Sequence, residues 1–559
     1  MGLYEPWEVA IKNNKSYSNP FDFTEIELRA TFRAPSGKQF NVIGFYDGDG
    51  NGKQTGNVWK LRFMPDEQGT WTYSYTWSDN SSGGSGSFTV TKSINPKNHG
   101  HVHVDPDNPR YLIHDDGIPH YWWGANWIDA ESIGPSSKWG QSNQSCTNNA
   151  EFILYLNRLE SYDHNGLLLK MALFPLENDK LSWDLSWLHR QEWLIREMLT
   201  RGIYAQVNFF DTWSRIPPGW DYDTDGDKHL FNVWESGDEK AKQNYIKNIV
   251  ARFSGFPNVY WEIGNEMEHS NSASSFANQA NSKYIPWIYQ ADAYDLPVGL
   301  SEGVWQNTEV DIGFLHQTNE LPASNWNKPT IMNELVRGGE EGELWSDEAI
   351  RNGANRISYR RTFWRMFTYG GSGSSEATWI EFTDPPNQAV LNVMADQQRL
   401  RQFIERLPMN INEMDPNGSF VKSGPGSYST RSKSGEGYVT YFLLNPGQTR
   451  QAGTVKVDLP AGSYKVEWYD PKVGSVLSST EITTSGGQVT LAYPEFTEDI
   501  VLQVLNKTVV QAMGYTGDFM IKDTLETSKL NDQLIATKKI IDSALHFIYL
   551  PILSHHGEC

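Results

Sequence analysis

VYWEIGNE, Val259 to Glu266, is the stretch that decides how the rest of the chain is read. Val259 to Ile263 form the apolar run of a buried strand. An Arg-Phe-x-Gly-Phe-Pro-Asn run feeds it, and Gly264 closes it. Asn265 and Glu266 then stand just past its C-terminal end, where α/β barrels keep their chemistry. PTIMNE, Pro329 to Glu334, is a second short apolar strand that ends in a carboxylate.

Outward from these two anchors, strand-like apolar runs alternate with helical periodicity. HYWWGANW (His120 to Trp127), GLLLKMALF (Gly166 to Phe174) and GIYAQVNFFD (Gly202 to Asp211) read as strands one to three. VYWEIGNE is the fourth. LPVGLSEG (Leu296 to Gly303), DIGFLHQ (Asp311 to Gln317), PTIMNE and EATWIEF (Glu376 to Phe382) complete eight. Between them, helical spacing joins Phe152, Ile153, Leu156 and Leu159, then Leu188, Ile195, Met198 and Leu199, then Tyr245, Ile246, Ile249, Val250 and Phe253. A further helix is expected near 347–369. Eight βα units predict an α/β fold, a (β/α)8 TIM barrel over 98–407, with a doubly wound open sheet as the second choice.

The flanks read differently. Residues 1–97 carry alternating β segments, FTEIELRATF, NVIGFYD, VWKLRFMP and GTWTYSYTW, cut by Gly, Asp and Pro turns. SSGGSGS (Ser81 to Ser87) reads as a hairpin tip or flexible loop. Residues 408–506 alternate again, from GYVTYFLL to EDIVLQVL. Both flanks predict β-sandwiches. Residues 507–559 form a tail with a plausible amphipathic helix, then HFIYLPIL and SHHGEC, and no recognisable chemistry.

Composition excludes several classes. The formal net charge is −21, from 68 acidic and 47 basic residues, which repels nucleic acid and anionic membrane. Only two cysteines occur, Cys146 and Cys559, so a disulfide framework is not expected. No apolar run reaches the ~18 residues of a membrane span. MGLYEPWEVA has no basic n-region and no apolar h-region. The chain reads as intracellular, or as secreted or periplasmic if a signal peptide preceded it. Oligomeric state is left open.

Two strand-end carboxylates suit hydrolysis of a glycosidic bond, one to give and take a proton and one to attack. Glu266 and Glu334 are the candidates, each weighed against a plain helix-capping role. Asn265 can hold a sugar hydroxyl beside the attacked carbon. The 22 Trp suit sugar rings as well as a core. Candidate substrate contacts are His316, Trp379, Asn208, Trp123, Asn126, Trp127, Trp213 and Trp305. GFYDGDGNG and DYDTDGDK carry the first half of a calcium-loop spacing, but Val58 and Asn232 stand where a bidentate Glu belongs. They read first as solvated acidic turns and second as structural calcium sites. No zinc pattern and no organic cofactor is implied.

FPNVYWEIGNE resembles the fourth-strand signature of retaining glycoside hydrolases of clan A, and KPTIMNE their seventh-strand nucleophile segment. The resemblance implies Glu266 as acid/base, Glu334 as nucleophile, Trp379 as the strand-eight aromatic and His316 as the strand-six histidine. NPF at Asn19 to Phe21, GFYDGDG, WKLRF and GTWTY are similar to the β-domain of DUF5060 type that precedes many such barrels. LPAGSYKVEWYDPKVG resembles the sandwich that follows apiosidase-like barrels. Those proteins carry Asp where this chain has Glu266. The resemblance spans about 1–506. It implies double-displacement cleavage of β-glycosidic bonds and does not fix the substrate; plant or algal poly- or oligosaccharides are the expected one. The competing class is a carbohydrate-binding or adhesion protein on an inactive barrel.

Overall fold

The computed structural model describes residues 1–125, 149–170, 185–211, 239–267, 273–301, 305–306, 308–316, 321–322, 326–333, 356–375 and 388–512. Eight parallel strands close a barrel: β1 (Trp123–Ala125), β2 (Gly166–Lys170), β3 (Tyr204–Asp211), β4 (Val259–Asn265), β5 (Val298–Ser301), β6 (Ile312–Leu315), β7 (Thr330–Met332) and β8 (Ser372–Ser375). Trp123 of β1 pairs with Gly373 of β8, so the sheet has no edge and the doubly wound alternative is excluded. Helices α1 (Asn149–Ser161), α2 (Leu185–Arg201) and α3 (Glu239–Phe253) follow β1, β2 and β3 in the chain. In α3 the buried stripe includes Tyr245, Ile246, Ile249, Val250 and Phe253, as the spacing predicts. Glu239 in its first turn and Arg252 in its last suit the helix dipole. Later come α4 (Ala273–Gln279), α5 (Ile285–Ala291), α6 (Arg356–Thr368) and α7 (Gln388–Glu405).

Strand alternation sorts the barrel's side chains. Tyr204, Tyr260, Ile312, Phe314 and Ile331 form one apolar cluster with Trp122. Their neighbours Ala205, Val207, Trp261 and Leu315 join the larger core instead. The interior cluster is closed from below by a small antiparallel sheet of Val102–Val104, Leu112–His114 and Pro119–His120, which contributes Val102 and Leu112. Toward the strand C-termini the buried residues turn polar: Asn208, Glu262, Ser301, His316 and Asn333.

The eighth strand departs from expectation. It is Ser372–Ser375, while the expected stretch 376–382 lies outside the described residues. SSGGSGS divides: Ser81 to Gly83 lie in a hairpin connection, as expected, while Gly84–Val90 is a strand paired with Gly69–Trp77. Gly84 faces Tyr75 and Gly86 faces Tyr73. A Cβ at either glycine would come within 2.6 and 2.5 Å of the tyrosine hydroxyls, so bare backbone lets the rings lie across it.

The N-terminal part stacks a four-stranded on a three-stranded antiparallel sheet. Phe32 of one lies 4.2 Å from Phe63 of the other, ring on ring. The C-terminal part has a six-stranded and a three-stranded sheet around a core that includes Phe442, Val455, Trp468 and Leu502. Both flanks are thus β-structured. Residues 1–506 form one compact unit. A second unit begins at Lys507. Its described part is the short helix Lys507–Ala512, and HFIYLPIL lies outside the described residues.

In the first acidic loop Asp47 departs from the solvated-turn expectation, while Asp49 keeps to it. Asp47 is fully buried and pairs with Lys60 at 2.8 Å, Arg252 at 2.9 Å and His189 at 2.9 Å. Arg62 reaches Glu8 at 2.6 Å and Glu192 at 3.0 Å, and Glu192 also takes Arg252 at 2.7 Å. These charges tie the N-terminal domain to α2 and α3. Asp49 accepts the backbone N–H groups of Asn51 and Lys53, a turn contact. The second loop, 221–228, lies outside the described residues.

Candidate active site

Glu266 follows the last residue of β4 with φ +54°, a left-handed conformation that a residue with a Cβ seldom adopts. Its backbone N–H donates to Ser301 Oγ at 2.7 Å, at the end of β5. The Ser301 hydroxyl donates in turn to the Gly264 carbonyl at 3.2 Å. One side chain thus clasps both sides of the turn that aims Glu266. Gly264 is itself constrained, because a Cβ there would lie 2.6 Å from Met267 Cγ and 2.7 Å from Phe276 Cζ.

The Glu266 side chain is only 14% exposed, and His316 Nδ1 stands 3.5 Å from its Oε1. His316 is fully buried just past β6. Asn265 is also fully buried. Asn333, the residue directly after β7, is buried at the corresponding point of that strand. The structure therefore brings together Asn265, Glu266 and His316 at strand C-termini.

Asn208 has a different partner from the one expected. It is buried, and its Nδ2 donates to Glu262 Oε2 at 3.0 Å, across the β3–β4 register. Glu262 is a fully buried carboxylate of β4, four residues before Glu266. Burial, and then the charge of Glu262, push the Tyr260 phenol well above its usual range. Glu262 lay in plain view in VYWEIGNE. Alternation from the inward Tyr260 was the signal that places it inside. Ser301 carried no such signal.

Two tryptophans serve packing. Trp123 is buried against Tyr121, ring centroids 4.1 Å apart, and joins the outer core. Trp305 packs edge-on to Trp326 at 4.8 Å and lies over Gly313, where a Cβ would come within 2.8 Å of its ring. Glu334, Trp379, Asn126, Trp127 and Trp213 lie outside the described residues. Among the described residues, no group of three or more His, Cys, Asp and Glu is placed to hold a metal ion. None of their helices is long and apolar enough to cross a membrane.

A carboxylate of low exposure, fixed backbone and adjacent imidazole can exchange a proton with a bound oxygen. Comparison with known proteins bears on the frame around it. The model of DUF5060, a domain of unknown function, matches residues 1–78. No curated protein sequence matches the chain. A candidate glycoside hydrolase of Bacteroides vulgatus ATCC 8482 superposes with a TM-score of 0.66 at 17% identity, over 90% of this chain and 99% of its own. A family 5 glycoside hydrolase of the same organism gives 0.53 at 14% identity, over 75% and 100%. Another structure, named glycoside hydrolase, gives 0.51 at 15% identity, over 75% and 99%. At these identities the likeness is one of fold: the chain shares with these proteins an α/β TIM barrel, here flanked by β-domains and led by a DUF5060 domain.

Proposed function

We propose that the protein is a retaining β-glycosidase acting on plant or algal poly- or oligosaccharides. One observation carries the reading. Glu266 stands at the C-terminal end of β4 on a left-handed backbone, sheltered, with His316 beside it. The names of the fold's relatives support the same class. The nucleophile of this reading is Glu334, which follows Asn333 at the end of β7 in the sequence.

In the first step a Glu334 oxygen bonds the anomeric carbon as the glycosidic C–O bond breaks. Glu266 gives its proton to the departing oxygen. In the second step water adds to the anomeric carbon, its proton passes to Glu266, and Glu334 leaves. Asn265 and His316 orient the sugar and the Glu266 carboxyl.

Azide tests the roles. Glu266→Ala should keep much of its first-step rate on dinitrophenyl β-glycosides and lose about 10²–10⁴-fold on natural sugars, where the leaving oxygen needs a proton. With azide it should yield the β-glycosyl azide. Glu334→Gly should lose both reactions and yield the α-azide. Exchange of the two products reverses the assignment. Full activity in both variants removes it.

A further inference from the structure

A cavity of about 640 Å³ lies on the N-terminal β-domain, to which every described residue that lines it belongs. Its size is that of small-molecule sites, about 300–1,000 Å³. Tyr46 and Trp59 pack in its floor with centroids 4.9 Å apart. Tyr17 stands edge-on to Trp59 at 5.7 Å and is only half-buried. Its hydroxyl is pinned, donating to Asp79 Oδ2 at 2.8 Å and accepting from Asn13 Nδ2 at 2.8 Å. The ring is therefore fixed before any ligand arrives, which lowers the cost of ordering it.

The rim is amide and hydroxyl. Asn57 Nδ2 donates to Asn14 Oδ1 at 2.6 Å. Among the described residues nothing engages Asn14 Nδ2 or Asn57 Oδ1. Ser16 and Thr55 add exposed hydroxyls. Among the described residues that line the cavity, Lys15 is the one with a charge, and Asp79 neutralises it at 2.8 Å. A half-buried tyrosine ring over a buried aromatic floor, with neutral donors and acceptors around it, fits a neutral sugar better than an anion or a peptide terminus.

The cavity's place is also informative. Gln54 Oε1 takes the backbone N–H of Leu185, the first residue of α2, at 3.2 Å. Asp22 pairs with Lys240 in the first turn of α3 at 2.7 Å and accepts from Asn244 Nδ2 at 3.1 Å. The N-termini of barrel helices lie at the end to which the strands deliver their C-termini. The cavity is thus anchored at the end of the barrel that holds Glu266.

We propose that this cavity of the N-terminal β-domain is an outlying glycan-binding subsite, which holds a neutral stretch of the polysaccharide that the barrel cuts. It rests on the glycosidase reading for the identity of the polymer. The full-length chain is run in native gels cast with konjac glucomannan, wheat arabinoxylan, barley β-glucan or polygalacturonate. Retardation is expected in at least one neutral gel and not with polygalacturonate. Ser16→Trp, which fills the cavity from an exposed position, and Asn14→Ala should each weaken that association about tenfold or more. Both should keep the wild-type thermal midpoint, and if Ser16→Trp does not, Asn14→Ala decides. Variants retarded like wild type, or a wild type that no neutral polymer retards, overturn the proposal. Wild-type hydrolysis of aryl β-glycosides is measured alongside. Cavity-dependent retardation without hydrolysis removes the glycosidase reading and keeps the subsite. Hydrolysis with cavity-independent retardation does the reverse.

Discussion

Glu266 holds a conformation that costs of order 1–2 kcal/mol for a residue with a Cβ, and it needs something to hold it there. The Ser301 hydroxyl is that contact, since it takes the Glu266 N–H and gives its own proton to Gly264. Ser301→Ala should cost about 1–3 kcal/mol by leaving buried backbone groups without their partner. It should also cut kcat on aryl glycosides at least about tenfold, because Glu266 loses its aim. Ser301→Thr keeps the hydroxyl and should keep most of the rate. Equal rates in all three proteins would show that the turn holds itself. The strand-end positions of Asn265, Glu266 and His316 are legible, because each follows an apolar run. Ser301 was not, because a serine at a strand end has no distinctive pattern. Nor does a tryptophan count say which face of a strand each ring takes. Alternation sends Trp122 inward and Trp123 outward.

At the scale of elements, seven of the eight strands were legible from apolar runs, and β8 was not. Ser372–Ser375 reads SGSS, with no apolar or β-branched residue. Its place comes from closing the barrel between Met332 and Trp123, a requirement of the whole sheet and not of its own four residues. Small residues also serve the interior. A Cβ on Gly299 of β5 would lie 2.1 Å from Phe314 Cε2, a wall of the apolar layer. Gly299→Ala should therefore overpack the barrel and destabilise it by about 1–3 kcal/mol. Denaturant unfolding of the two proteins measures this. An unchanged midpoint would mean that the Phe314 ring can swing away.

Across the whole molecule, the N-terminal domain is held to the barrel by buried charges that no local pattern announces. Asp47 looked like a turn residue and is a hub. Its pairs with His189 and Arg252 join residues 142 and 205 apart in the chain, so only the assembled fold reveals them. Glu192 shows the consequence. Burial alone would raise its pKa, but Arg62 and Arg252 outweigh burial and hold it at about 2. In the unfolded chain it titrates at about 4.3. The unfolded state therefore binds the proton first as pH falls. The stabilisation from Glu192 is complete above about pH 4.3 and is lost as pH falls toward 2. Nearby, burial pulls His101 down to about 4 against Asp115, while its imidazole bonds the Ser254 and Phe256 carbonyls. Its contribution is complete above the unfolded value of about 6.5 and falls as pH drops toward 4. Stability should then decline in two stages on acidification, the first from histidine and the second from carboxylate. Glu192→Gln isolates the second. At pH 7 it leaves two buried guanidiniums short of a partner and should cost about 3–5 kcal/mol. Toward pH 2 the wild-type carboxyl is itself protonated, so the two proteins should converge. Denaturant midpoints of both at pH 7, 5 and 3 check this. A gap between them that is the same at all three values would show that Glu192 does not couple folding to pH.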